Sequence, residues 1–203
     1  MNRPDPRLAI RRLYHNRWGY DVTRAEEDRV RDSDGSSTYG EIMPTGLDTL
    51  IDALDLEEDD VFYDLGSGMG KVILQVAMTT RVARCVGVEL VDSRHHVARE
   101  VLDQARAEGL LKTKDVDFRL ADMLRTPLSD ATVIYTCSTA FSELFMDQLV
   151  ARLARLNQGL RLATLLDLDD NPWFEVEDVV RVDVSWKRRA KVHIYRLTMP
   201  CLG

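Results

Sequence analysis

Residues 61–77, VFYDLGSGMGKVILQVA, constrain this chain more than any other stretch. Val61 to Leu65 is a short apolar run carrying one acid, Asp64. Gly66, Gly68 and Gly70 follow at alternate positions, and a second apolar run continues from Lys71 to Ala77. The pattern predicts a buried strand, a sharp turn and a helix. Glycine lets the backbone turn tightly and approach a ligand with no Cβ in the way. The helix start adds unpaired N–H groups and the positive end of its dipole. Such a turn is suited to a small polar cofactor.

The rest of the chain repeats the theme. Residues 85–89 form a second apolar strand ending in Glu89, with Asp92 or Ser93 placed to cap the next helix. Val116, Phe118 and Leu120 alternate with polar residues and lead to Asp122. Residues 132–136 are a fourth strand. Phe141, Leu144, Phe145, Leu149, Leu153 and Leu156 recur at helical spacing, and Gly159 ends that helix. Residues 160–166 are a fifth strand. Val180, Val182, Val184 and Trp186 alternate, as do Val192 and Ile194, which predicts a closing hairpin turning at Lys187-Arg188-Arg189. Upstream, residues 6–18 read as a helix with Ile10, Leu13, Tyr14 and Trp18 on one side. Residues 31–37 read as a mobile polar loop. Pro44 opens a helix with Thr45 and Asp48 at capping-box spacing.

Strands alternating with helices imply a parallel sheet covered on both faces. The fold expected is α/β and Rossmann-like. It has a seven-stranded, mostly parallel sheet with helices on both faces and an antiparallel C-terminal hairpin strand. Two parts are expected: residues 1–43, an N-terminal helix and cofactor-covering loop, and residues 44–203, the cofactor-binding domain.

Composition removes several classes. The 203 residues suffice for one well-covered core, and 30% of them are charged. No apolar run reaches membrane-spanning length, and the first residues lack a signal-peptide core. Three cysteines, Cys85, Cys137 and Cys201, show neither disulfide nor metal-ligand spacing. A reducing, cytoplasmic setting is expected, or a nuclear one for a histone substrate, and no metal. The net charge of −7 disfavours nucleic acid as the main partner and suits a basic one. The basic run from Lys187 to Lys191 reads either as a solubilising turn or as a contact to an acidic partner. Oligomeric state has no signature.

Three predicted strands end in acids: Asp64, Glu89 and Asp122. Ligands of open parallel sheets bind beyond those carboxyl ends. Glu89 lies about twenty residues past the last glycine, the spacing that reaches a ribose diol. Asp122 can accept a hydrogen bond from an adenine amino group, and Asp64 suits an ammonium group. A dinucleotide pyrophosphate would be repelled by three carboxylates around so short a turn. S-adenosylmethionine (AdoMet) has a cationic sulfonium and an ammonium and no phosphate. It is the cofactor expected, with NAD the runner-up.

These residues resemble the class I methyltransferases, and more narrowly the disruptor-of-telomeric-silencing family of non-SET histone lysine methyltransferases. The similarity runs from about Tyr39 to Leu197. It is carried by Tyr39-Gly40-Glu41, by residues 61–77, by Gly87-Val88-Glu89, by Ala121-Asp122-Met123 and by Ser185-Trp186. The family's Asn-Asn-Phe-Ala-Phe reads Cys137-Ser138-Thr139-Ala140-Phe141 here. The resemblance implies AdoMet held by Tyr39, Gly40, Glu41, Asp64, Gly66, Ser67, Gly68, Gly70, Glu89, Leu90, Asp122, Met123 and Cys137. It implies a lysine channel walled by Phe141, Trp186 and Thr139. His193 stands near a channel tyrosine of the family and is the one candidate base. The expected function is methylation of a protein lysine, with a basic or histone-like partner. Two alternatives stay open: a class I methyltransferase with a small-molecule or other non-lysine acceptor, and a non-catalytic module that keeps the fold.

Overall fold

The computed structural model describes residues 4–19, 22–32, 40–168 and 170–199. Tyr39, Cys201 and residues 33–37 of the polar loop lie outside them. The elements run α1 (Pro6–Leu13), α2 (Arg24–Asp32), α3 (Pro44–Leu54), β1 (Val61–Leu65), α4 (Lys71–Thr79), β2 (Arg84–Glu89), α5 (Asp92–Ala107) and β3 (Asp115–Leu120). They continue with β4 (Val133–Thr136), a single 3₁₀ turn (Ser138–Ala140), α6 (Glu143–Leu153), β5 (Arg161–Thr164), β6 (Phe174–Val184) and β7 (Lys187–Leu197). The seven strands form one sheet in the order β3-β2-β1-β4-β5-β7-β6. The first five pair in parallel, and β7 is inserted antiparallel to both β5 and β6. The Rossmann-like sheet with one reversed hairpin strand, read from the pattern, is the fold observed.

Alternation of side chains splits the core in two. Phe62, Cys85 and Tyr135 face one side, under Ile10, Leu50, Ile73 and Val101 of α1, α3, α4 and α5. Tyr63, Leu65, Val86 and Ile134 face the other, under Phe145, Leu149 and Leu153 of α6. Leu50, Ile73 and Leu149 are 0% exposed, and burial of each such side chain contributes about 1.5–3 kcal/mol.

Local expectations differ from the structure where tertiary contacts decide. The first helix stops at Leu13, and Trp18 is exposed rather than on its buried face. α3 has Met43 at its N-cap, a residue with no side-chain oxygen to cap with, and Asp48 accepts from the Gln75 amide, 2.7 Å away. α5 is capped by Val91, not by Asp92 or Ser93. The hairpin turns at Ser185-Trp186, so Lys187-Arg188-Arg189 opens β7 instead of forming the turn. Trp186 therefore leaves the alternating buried face. α2 has no amphipathic stripe to betray it, yet it carries the sequence sign of a helix start. Glu26 Oε2 accepts from Thr23 N at 2.8 Å, and Thr23 Oγ accepts from Glu26 N at 3.3 Å.

Candidate active site

The parallel strands end at a cavity of about 700 Å³. That size is typical of a small-ligand site. Its floor is the glycine turn. Gly66 (φ 84°) and Gly68 (φ 52°) hold left-handed conformations that L side chains rarely adopt. The turn is stitched to β2: Gly66 N and Ser67 N donate to Val88 O at 2.9 and 3.0 Å.

Glu89 closes that stitch. One carboxylate oxygen accepts from Gly68 N at 2.7 Å, and the other from Leu90 N and Val91 N at 3.0 and 2.9 Å. A carboxylate has about four acceptor positions, so this preset group keeps capacity for a ligand donor. Asp122 is held by the Leu124 amide at 2.8 Å. Asp64 differs from both. It is 2% exposed, and its carboxylate meets no donor among the described residues. Burial, and then the charge of Glu89, push its pKa well above the usual carboxylate value.

The cover is built from the segment before α3. Ile42 bridges Val184, Met43 N donates to Asp183 O at 2.9 Å, and Ser185 N donates to Glu41 O at 2.8 Å. The segment is thus an extra short strand docked on the hairpin tip. Gly40 lies under the ring of Trp186, where no side chain would fit. The Glu41 carboxylate accepts from Lys71 Nζ at 2.7 Å. Lys71 Nζ in turn sits 5.2 Å from the centre of the Tyr14 ring, a cation–π distance.

The remaining wall comes from β4 and the turn after it. Ser138 Oγ and Thr164 Oγ share a buried 2.7 Å hydrogen bond, and Leu166 N donates to Ser138 Oγ at 3.1 Å. This fixes the 3₁₀ turn that presents Thr139, Ala140 and Phe141. Ser142 then caps α6 through the Phe145 amide at 3.2 Å. The Phe141 and Phe145 rings meet at 4.8 Å. The Cys137 thiol is pushed up to about 12 by burial and then by Asp64, so it stays protonated.

The structure brings Gly40, Glu41, Asp64, Gly66, Ser67, Gly68, Glu89, Leu90, Asp122, Met123, Cys137, Thr139, Phe141 and Trp186 into this one wall. Tyr39 lies outside the described residues. Gly70 is not in the wall. Its φ is 85°, and a Cβ built on it would lie 2.4 Å from Phe118 Cζ, so it serves packing between α4 and β3. His193 is also outside the wall. It is 6% exposed on β7, stacked on Tyr195 at 6.0 Å, with Nδ1 3.6 Å from Asp167 Oδ1. Sequence reasoning did not assign Lys71, Arg94 or Tyr135 to the site, and it used Ser185 only as part of the family resemblance. Tyr135 had a usable signal, since strand alternation sets it on the same side as Cys137.

The described residues contain no metal-binding group of three or more His, Cys, Asp or Glu. No helix among them is long and apolar enough to cross a membrane.

Comparison with known proteins agrees with this geometry. Residues 21–181 match the family described as "Histone methylation protein DOT1". The chain is 29% identical over 145 residues to a histone-lysine N-methyltransferase, H3 lysine-79 specific, of Caenorhabditis elegans. That match covers 67% of this chain and 15% of the relative. An enzyme of the same name from Yarrowia lipolytica is 27% identical over 155 residues, covering 71% and 31%. The chain therefore spans under a third of the length of either relative. Among solved structures, an RNA methyltransferase from Salinibacter ruber in complex with S-adenosyl-L-homocysteine superposes with a TM-score of 0.58 at 26% identity. It covers 77% of this chain and 92% of that one. A magnesium protoporphyrin IX methyltransferase from Synechocystis with bound AdoMet gives 0.59 at 12% identity, covering 95% and 98%, and shows the shared fold alone. With the family match extending over most of its length, the chain belongs to the DOT1 family of histone methylation proteins.

Proposed function

We propose that this chain is an AdoMet-dependent methyltransferase whose acceptor is a lysine side chain of a basic, histone-like protein. One observation carries the cofactor reading: a single cavity gathers Asp64, Glu89 and Asp122, with Asp64 buried and meeting no donor among the described residues. Those groups fit AdoMet. Glu89 suits the ribose hydroxyls, Asp122 the adenine amino group, and Asp64 the α-ammonium. Lys71, already beside Glu41, brings a cation toward the α-carboxylate. Gly66, Ser67, Gly68, Leu90, Met123 and Cys137 shape the floor, with Gly40 and Glu41 as cover. The covering segment acts with the domain from residue 44 as one unit in this reading, because Glu41 and Ile42 dock on the hairpin.

When bound, the cofactor supplies an electrophilic methyl group on a sulfonium. The chain's own work is positioning and dehydration. Phe141, Trp186 and Thr139 wall the acceptor entry. A lysine ammonium has an ordinary pKa of about 10.4, and entry into an aromatic channel favours its neutral, attacking form. No histidine lines the cavity among the described residues, and the Cys137 thiol stays protonated. In this reading the chain lowers the acceptor's pKa, and the described lining residues provide no dedicated base.

A histone-like acceptor agrees with the net charge of −7 and with the relatives' names. It sets the chain at chromatin, and no observation supports the cytoplasmic setting expected from the sequence. Incubation with radiolabelled AdoMet and, separately, histones, lysate protein, RNA and small metabolites tests the reading. Label on protein lysines is expected. Label confined to RNA or small molecules would reject the acceptor.

A further inference from the structure

Tyr135 has no part in the reading above, yet it lines the cavity. It is the third residue of β4, directly in register with Asp64 of β1. Paired residues of parallel strands present their side chains on the same face. Tyr135 shares a core cluster with Phe62, which alternation also sets on the Asp64 side. Both Asp64 and Tyr135 reach the cavity.

Tyr135 is 1% exposed, and its hydroxyl is buried beside the Cys137 thiol, a weak hydrogen-bonding group, and makes no hydrogen bond of normal geometry among the described residues. Asp64 beside it is buried and meets no donor among the described residues. Folded chains satisfy nearly all buried polar groups, because an unmet one costs free energy. Two groups in register on one wall, one with only a weak thiol neighbour and one with no donor among the described residues, therefore point to a partner outside them. The carboxylate asks for a cation. The hydroxyl oxygen can accept a hydrogen bond. A primary ammonium answers both, with one charge and three donors.

We infer that Tyr135 is a ligand-binding residue: its hydroxyl accepts a hydrogen bond from the α-ammonium of the cofactor's amino-acid end, whose charge Asp64 balances. This rests on the AdoMet reading above. An acceptor lysine is the other source of an ammonium, and chemistry argues against it. A lysine must be neutral to attack, and a buried carboxylate beside it would favour the charged form. The α-ammonium of the cofactor takes no part in transfer and can remain charged.

Calorimetry on wild type and Tyr135→Phe, with AdoMet and with 5′-methylthioadenosine, tests the assignment. The second ligand keeps the nucleoside and lacks the amino-acid chain. Tyr135→Phe should weaken AdoMet binding by about tenfold to a hundredfold, the size of one hydrogen bond to a charged group. It should leave methylthioadenosine binding unchanged. The unliganded variant should melt no lower than wild type, because a buried hydroxyl with only a weak thiol neighbour has been removed. Unchanged AdoMet affinity, or equal losses for both ligands, would overturn the assignment while sparing the cofactor reading. A raised KM for the protein acceptor with intact AdoMet affinity would also overturn it. If wild type binds neither ligand, the cofactor reading fails and takes this inference with it.

Discussion

Trp186 fills the space that a side chain on Gly40 would need: a Cβ built on Gly40 lies 2.2 Å from the ring's Cζ3. The covering segment and the hairpin tip are thereby locked as one surface over the cavity. Gly40→Ala should displace either the ring or the segment and weaken AdoMet binding by about tenfold, with little loss of global stability. Trp186→Ala frees the space, so the double variant should lose less than the two single losses summed. A double-mutant cycle by calorimetry reads that coupling. Strict additivity would mean that the two do not act together.

Gly70 lies outside the cavity wall and close against Phe118. Gly70→Ala puts a methyl group 2.4 Å from Phe118 Cζ at a φ of 85°. Stability should fall by about 1–3 kcal/mol, measured by denaturant unfolding. Phe118→Leu in the same chain should recover part of it. A Gly70→Ala protein with full stability and lost AdoMet binding would return Gly70 to the cofactor site.

The Thr23–Glu26 cap makes a pH signature. Burial opposes ionisation of Glu26, but hydrogen bonds from the Ser93 and Thr23 amides and the Thr23 hydroxyl prevail and hold its pKa at about 2, against an ordinary 4.5. The folded pKa is depressed, so the stabilisation is complete above pH 4.5 and is lost as pH falls toward 2. Glu26→Gln should cost about 1–2 kcal/mol at neutral pH and flatten the acid limb of the stability curve. Parallel acid limbs in the two proteins would contradict the cap's role.

With a pKa near 12, Cys137 should resist alkylation. At pH 8 it should react with iodoacetamide about a thousandfold more slowly than a free thiol. Peptide mass spectrometry before and after unfolding measures this. Rapid native labelling of Cys137 would mean that its thiolate is accessible and available.

The parts of this molecule that could be read in sequence are those encoded by neighbours along the chain. Alternation in Val116–Leu120, the Gly66–Gly70 turn and the acids closing three strands each depend on local period or local turn chemistry. They were enough for the sheet and the cavity floor. What escaped depends on contacts between distant elements. Phe118 takes the space above Gly70, a contact between distant elements that sets this glycine outside the cavity wall. Lys187-Arg188-Arg189 has the polarity of a turn, but the register of β6 against β7 moves the turn back to Ser185-Trp186. His193 matched a channel position by alignment, and its place beside Asp167 and Tyr195 comes from β7 lying between β5 and β6. The Thr23-x-x-Glu26 box was readable by the same rule that misassigned Thr45 and Asp48. Asp48 is claimed by Gln75 of α4 instead, which no local pattern reports.

The central claim is that the strand-end acids make this cavity an AdoMet site. Calorimetric titration of AdoMet into wild type, Glu89→Ala and Asp64→Ala tests it most directly. Saturable one-to-one binding is expected in wild type, falling below detection in both variants while both remain folded by circular dichroism. AdoMet binding of unchanged affinity in the two folded variants would contradict the account.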